Sequence, residues 1–326
     1  MSEPGPDGGN TRQINPFLIP GREDAPMSAL CPWRESSHAD LYIEIDNYAP
    51  AFADFQAQFT TPSLLMENSR LALVTGDSGC GKSALRNQCA YWLSDQLAAN
   101  GMRGEIIDLS RAIDLADRKN SVIDINKRIT HVATTLVQRM ARLDLIDAET
   151  RDALAKLPSP ELVYADLGTA MDGKGRPDVV LILLLPSADL QSEIEQYATM
   201  PAPRVMFFAE SSYVGSHQVT SIGGGNDVEV PPATMTVGEL SAEDIRLFIE
   251  TRYEQRRNDG VFPRLDDDVM DLLTSTRKTS VAMLQDTMTG LYNHARRSPD
   301  NYTIEATISA HDLTRYSLHK IRSMMG

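Results

Sequence analysis

The sequence predicts an α/β fold, a parallel sheet with helices on both faces, followed by a small C-terminal helical lid. Three observations carry this reading. Short apolar runs at Leu71–Thr75, Glu105–Leu109, Val179–Leu185, Val205–Ala209 and Asp227–Val230 are separated by segments of helical periodicity, an alternation that indicates a parallel sheet covered by helices. A glycine-rich stretch joins the first run to a periodic helix. After Pro231 and Pro232 the strand character ends and the pattern becomes purely helical. At 326 residues the chain accommodates a full core and a second, smaller unit, since domains usually hold roughly 100–200 residues.

Taken along the chain, residues 1–28 are rich in Gly, Pro and Asp and read as a mobile tail, because they hold too little apolar surface to offset the entropy of ordering. From Leu41 to Phe59, the positions Tyr48, Phe52, Phe55 and Phe59 recur at helical spacing and predict a helix leading into the core, with Tyr48 or Phe52 an alternative neighbour of a bound base. The helix after the first strand carries Leu85, Cys89, Leu93 and Leu97 on one face and stops at Gly101. Ser121 with Asp124 reads as a cap for a helix with Ile125, Ile129, Val132, Leu136, Met140 and Leu143 on one stripe. Ser241 with Asp244 opens a helix burying Ile245, Phe248, Ile249 and Tyr253. Val281, Leu284, Met288 and Leu291 mark another, and Ser309 with Asp312 starts the last. The expected organisation is a tail over 1–28, an α/β domain over 29–238 and a lid over 239–326.

Composition narrows the function. Lys and Arg number 31 against 45 Asp and Glu, a net charge of -14, which repels polyanions and anionic membranes unless positive charge clusters locally. From Glu243 onward the balance is 12 basic to 13 acidic, leaving 19 to 32 for the earlier part, so the C-terminal part is where a polyanion could touch. Cys31, Cys80 and Cys89 form neither a disulfide framework nor a CxxC pair, which fits a reducing cytoplasm. The N-terminus lacks a basic start followed by an apolar run and reads as no signal peptide. The longest apolar run, Val179–Leu185, is too short to span a bilayer.

The segment Gly76-Asp77-Ser78-Gly79-Cys80-Gly81-Lys82-Ser83 matches GxxxxGK[ST], with Ala84 following in the helix. Glycines let backbone N–H groups wrap phosphates, Lys82 supplies charge to the β- and γ-phosphates, and the Ser83 hydroxyl is a Mg²⁺ ligand. No guanine-reading NKxD element follows, so the expected ligand is ATP with Mg²⁺.

Hydrolysis calls for a carboxylate at the carboxyl end of a later strand. The run Val179–Leu185 ends in Pro186-Ser187-Ala188-Asp189, with proline at the expected place; Asp178 lies at the wrong end. Asp189 is a candidate metal ligand and catalytic acid, and equally an N-cap for a helix over Leu190–Tyr197. The next run ends in Glu210-Ser211-Ser212. If that strand lies beside the loop-bearing strand, Glu210 faces the γ-phosphate as a catalytic candidate; a solvated surface glutamate is the alternative. Asp108 and Ser110 are weaker candidates near the sheet edge.

This order of parts, closing with Glu229-Val230-Pro231-Pro232 and then Glu239-Leu240-Ser241-Ala242-Glu243-Asp244, resembles the AAA+ and STAND-type P-loop ATPases, most of all their compact origin-recognition and transposition-regulator relatives. The resemblance covers about residues 40 to 300. It implies a strand order with the fourth strand between the P-loop strand and the Walker B strand, bringing Glu210 or Ser211 to the sensor 1 position. It implies Arg277 and Lys278, before the helix Ser280–Ala295, as the nearest match to sensor 2. Two departures stand out: the Walker B acid is replaced by Pro186 or displaced to Asp189, and Val205–Ile245 contains no Arg or Lys to act as an arginine finger.

The leading expectation is an ATP-dependent switch or slow ATPase regulating a protein partner. An oligomeric ATPase remodelling protein or nucleic acid would need a cation in trans, such as Arg256 or Arg257. A small-molecule phosphotransferase would need an arginine-rich catalytic flap, which the packed lid does not resemble. A nucleic-acid surface would draw on Arg252, Arg256, Arg257, Arg264, Arg296 and Arg297, but Asp266, Asp267 and Asp268 interrupt it.

Overall fold

The computed structural model describes residues 12–113, 124–188, 190–213, 231–275, 278–299 and 302–325. They fall into two compact units, one of Tyr48–Ser78 and Lys82–Val237, the other of the chain up to Asn47, Gly79–Gly81 and Gly238 onward.

In the first unit, five strands, β1 (Arg70–Thr75), β2 (Arg103–Asp108), β3 (Val179–Leu184), β4 (Val205–Ser211) and β5 (Ala233–Thr236), form one sheet in the order β2-β3-β4-β1-β5. Every pairing is parallel. Helices α1 (Tyr48–Gln58), α2 (Lys82–Ala99), α3 (Ile125–Arg142), α4 (Ala148–Leu154), α5 (Pro160–Gly173) and α6 (Gln191–Ala198) belong to the same unit. Strands β3 and β4 are buried along their whole length, as expected of parallel strands covered on both faces. Alternate residues divide between the two faces. Leu71, Leu73, Leu181, Leu183, Val205 and Phe207 join the core with α3, α5 and α6, whereas Phe208 meets Phe55 of α1, with ring centroids 5.7 Å apart.

The second unit contains α7 (Ala242–Arg256), α8 (Asp267–Ser275), α9 (Val281–Ala295), α10 (Ala310–Met325) and a small parallel pair, β6 (Arg264–Leu265) with β7 (Thr307–Ile308). Three of its four described helices start where the sequence places them, and α8 has no counterpart in the sequence reading. Ser241 and Asp244 make a reciprocal capping box, Ser280 accepts from the Met283 N–H, and Ser309 and Asp312 bond each other's backbone N–H groups.

Several expectations need correction. Residues 12–28 are not a loose tail: Phe17 is fully buried among Phe248, Tyr253 and Tyr292. The same segment is tied by Asn15 Nδ2 donating to Thr289 O at 2.9 Å and the Tyr302 hydroxyl donating to Ile14 O at 2.5 Å. Leu41 closes a short 3-10 helix over Ser36–Leu41, and residues 42–45 are not helical. Leu41, Ile43 and Ile45 are buried in alternation, a period of two that belongs to extended chain, and the helix begins only at Tyr48.

The α3 cap is Asp124, which accepts from Lys127 N–H; Ser121 lies outside the described residues, and Leu143 ends the helix 44% exposed. The run Asp227–Val230 also lies outside them. The fifth strand described follows the two prolines, contrary to the expected loss of strand character there, and it pairs with β1 from Ala233. Proline is tolerated just before a strand because no ladder N–H is needed there. The expected helix over Leu190–Tyr197 runs from Gln191 with Leu190 at its N-cap position.

Candidate functional site

Strand β1 delivers the chain to Gly76, and α2 begins at Lys82. Gly76 has φ +141° and packs so closely on the Val237 carbonyl that a Cβ would collide with it; Gly79 and Gly81 have φ +81° and +91°. These are backbone conformations that glycine enters without strain. Lys82 is buried, and its Nζ donates to Gly76 O at 2.7 Å, Asp77 O at 2.7 Å and Ser212 Oγ at 2.9 Å, matching the three donors of an ammonium.

The parallel register pairs Val74 with Glu210 and Thr75 with Ser211, so the end of β4 lies beside the point where the loop leaves β1. Glu210 therefore sits within the loop's surroundings. Ser83 Oγ donates to Glu210 Oε2 at 2.8 Å, and Arg86 Nη1 lies 2.6 Å from Glu210 Oε1. The Arg86 and Glu210 side chains are 7% and 10% exposed, so water screens the pair weakly. Ser83 and Arg86 stand three residues apart and share a helical face. Ser211 is fully buried, and its Oγ accepts from Tyr213 N–H at 3.2 Å.

The end of β3 is organised differently. Pro186 and Ala188 are buried. Leu185 N–H donates to Phe208 O and Ala188 N–H to Glu210 O, each at 2.9 Å. Arg128 of α3 donates to Ser187 O at 3.0 Å and pairs with Glu193 of α6 at 3.2 Å. Asp189 lies outside the described residues. Asp108 lies on the edge strand, separated from β1 by both β3 and β4, and accepts from the Ser110 N–H and hydroxyl in a local turn. Asp178 is at the opposite end of β3, as expected. The aromatic stripe of α1 packs on Trp92 through Phe52 and Phe55, which is core packing.

In the helical unit Arg277 lies outside the described residues, and Lys278 is exposed with φ +63°. The arginines weighed for polyanion contact are largely engaged. Arg252 is 4% exposed and lies over the Phe248 ring; burial and the neighbouring Arg256 push its pKa down to about 10. Arg256 pairs with Asp259, Arg257 with Glu254, and Arg264 with both Glu250 and Glu254. Arg297 faces His319, whose Nε2 is 3.2 Å away.

The residues present fit a nucleotide with its metal. Left-handed glycines ahead of a helix N-terminus, with a lysine and a hydroxyl in its first turn, form a donor set for phosphate oxygens. Ser83 and Glu210 offer hard oxygen ligands. Among the described residues no cluster of three or more His, Cys, Asp or Glu could hold a metal. The sequence reading did not single out Arg86, Arg128 or Glu193. Arg86 carried a signal, a cation one helical turn beyond Lys82. The Arg128–Glu193 pair spans 65 residues and has no local signature.

No protein-family model matches the chain, and no curated protein matches it. Solved structures do. The Aeropyrum pernix ORC1 protein, determined in complex with DNA, aligns with TM-score 0.53 and 16% identity over 86% of this chain and 66% of that one. The ORC2 protein of the same organism, in ADPNP–ADP complexes, aligns with TM-score 0.52 and 10% identity over 95% and 73%. Its ADP form gives TM-score 0.51 and 10% identity over 82% and 67%. The chain thus spans just under two thirds of the ORC1 length. Among the described residues no helix is long and apolar enough to cross a membrane. With β4 lying between β1 and β3 and a GxxxxGKS loop leading from β1 into α2, the chain has the fold of an AAA+ P-loop NTPase.

Proposed function

We propose that the chain binds ATP with Mg²⁺ at Gly76–Ser83 and acts as an ATP-dependent switch, or slow ATPase, regulating a protein partner. The observation that carries this is the 2.8 Å bond from Ser83 Oγ to Glu210, which places a metal-binding hydroxyl and a carboxylate together beside the phosphate loop. The adenine nucleotides bound to ORC2 support the choice of base.

Bound Mg·ATP supplies a γ-phosphoryl group for transfer to water. Backbone N–H groups of Gly76, Asp77, Ser78, Gly79, Cys80, Gly81 and Ala84 hold phosphate oxygens, and Lys82 provides the compensating charge. Ser83 and Glu210 serve the metal, and Glu210 orients water. Asp189 is the alternative carboxylate, and Arg277 remains the candidate nucleotide-binding cation of the C-terminal part.

A switch is favoured over a motor because Glu210 is already engaged by Arg86 and because Arg256 and Arg257 pair with carboxylates of their own unit. Those pairings also weigh against a DNA surface, although ORC1 was solved with DNA.

Calorimetry on Lys82→Ala tests the site. Losing charged hydrogen bonds worth about 1.5–3 kcal/mol weakens ATP binding roughly tenfold to a hundredfold, and unchanged affinity overturns the assignment. Partner-free turnover faster than about 1 s⁻¹, the low end of ordinary enzyme rates, overturns the switch.

A further inference from the structure

Arg86 has no part in phosphate binding as described above, yet it is a buried cation held beside the loop. Its residue is 6% exposed. One guanidinium nitrogen, Nη1, lies 2.6 Å from Glu210 Oε1. Nε and Nη2 are 3.3 and 3.1 Å from the Asn87 Oδ1. Two partners thus fix the plane of the guanidinium, which presents its donors in a rigid fork.

Glu210 is likewise committed through both oxygens, Oε1 to Arg86 and Oε2 to the Ser83 hydroxyl. The carboxylate that adjoins the phosphate loop is therefore charge-compensated by the protein itself. A weakly screened carboxylate left alone there would repel a polyphosphate, and a divalent cation would have to cancel it.

We propose that Arg86 is the built-in counter-charge of Glu210, and that through it the site accepts metal-free ATP nearly as well as Mg·ATP. This rests on the ATP reading and concerns how the same site is regulated: Arg86 is a positioning residue that uncouples holding the nucleotide from holding the metal. Occupancy then survives loss of Mg²⁺, while hydrolysis does not.

The experiment is titration calorimetry of the full chain with ATP in EDTA and with ATP in excess Mg²⁺, read as the ratio of the two affinities. The wild-type ratio is expected within about tenfold, which is about 1.4 kcal/mol. Arg86→Gln is expected to widen it by about tenfold or more, by weakening metal-free binding selectively. Glu210→Gln leaves the Arg86 cation uncompensated and is expected to strengthen metal-free binding, not weaken it.

Equal weakening of both affinities in Arg86→Gln marks a purely structural residue and overturns the proposal, as does a larger wild-type ratio. Should Arg86→Gln fail to fold with Glu210 unpaired, Arg86→Gln/Glu210→Gln leaves no lone charge. Its metal-free affinity should match that of the wild type, because the ion pair and its neutral replacement carry the same net charge, and a weaker value shows Arg86 acting on the nucleotide directly and overturns the proposal. Absence of binding by the wild type under both conditions refutes the ATP reading instead.

Discussion

Strands β3 and β4 are neighbours, are both buried throughout, and end on the same side of the sheet, yet their ends are built from opposite materials. At the end of β3 stand Pro186, Ser187 and Ala188, held by backbone bonds and by Arg128. At the end of β4 stand Glu210, Ser211 and Ser212, held by side chains of the phosphate loop and α2. The resemblance to AAA+ ATPases implies an acid at the end of β3. Among the described residues the carboxylate bonded to Ser83 is on β4. A parallel sheet exposes the carboxyl ends of adjacent strands side by side, so an acid displaced by one strand still reaches the same loop. Fold alone does not fix which strand carries the charge.

The sharpest way to break this contrast is to remove the β4 acid. Glu210→Ala leaves the Arg86 guanidinium buried without its carboxylate, and severing one side of a buried pair costs about 3–5 kcal/mol. The midpoint of urea denaturation should fall at unchanged m; a loss under about 1 kcal/mol, the size of an exposed pair, would show that the pair contributes little to folding. Glu210→Gln is the functional counterpart, expected to slow hydrolysis on the order of a hundredfold if Glu210 handles the proton or orients water. If Asp189→Asn produces that loss and Glu210→Gln does not, the two roles must be exchanged.

Next in size is the support behind β3. Arg128→Ala removes the ion pair of Glu193, which is 2% exposed, and should cost about 3 kcal/mol as the loss of one side of a buried pair. ATP affinity, measured by calorimetry, should stay within about threefold, because Arg128 touches Ser187 O and Glu193 and neither is assigned to the phosphates. A large loss of affinity would make the β3 end part of the nucleotide site and weaken the contrast.

The difference between the two ends also shows what the sequence could reveal. The strand-loop-helix around Gly76–Ser83 was legible because every residue in it acts locally: left-handed glycines, a lysine in the first turn, and the stripe Leu85, Cys89, Leu93 and Leu97, all fully buried. Glu210 was legible because a strand's end is visible in its residues. Its partner Arg86 was not, since whether a helical arginine points inward depends on which strand end faces it.

The place of the N-terminal segment is hidden in the sequence for a related reason. Its average composition suits a tail, but the single anchor Phe17 and the Asn15 amide decide its place, and averages hide single anchors. Helices α4, α5 and α8 are likewise not singled out by the sequence reading.

The smallest expected effect is the most direct check on the contrast. The Ser187 hydroxyl is the one polar side-chain group described at the β3 end, and its oxygen lies 3.5 Å from Glu210 O, at the outer limit of a hydrogen bond. Ser187→Ala should therefore change stability by less than about 0.5 kcal/mol, and should leave both ATP affinity and turnover unchanged within error. The backbone bond from Ala188 N–H to Glu210 O already ties the two strand ends and survives the substitution. A clear loss of turnover at unchanged stability would mean that this hydroxyl meets the reacting water or the metal. Chemistry would then be shared between both strand ends, and β3 would keep part of the role here assigned to β4.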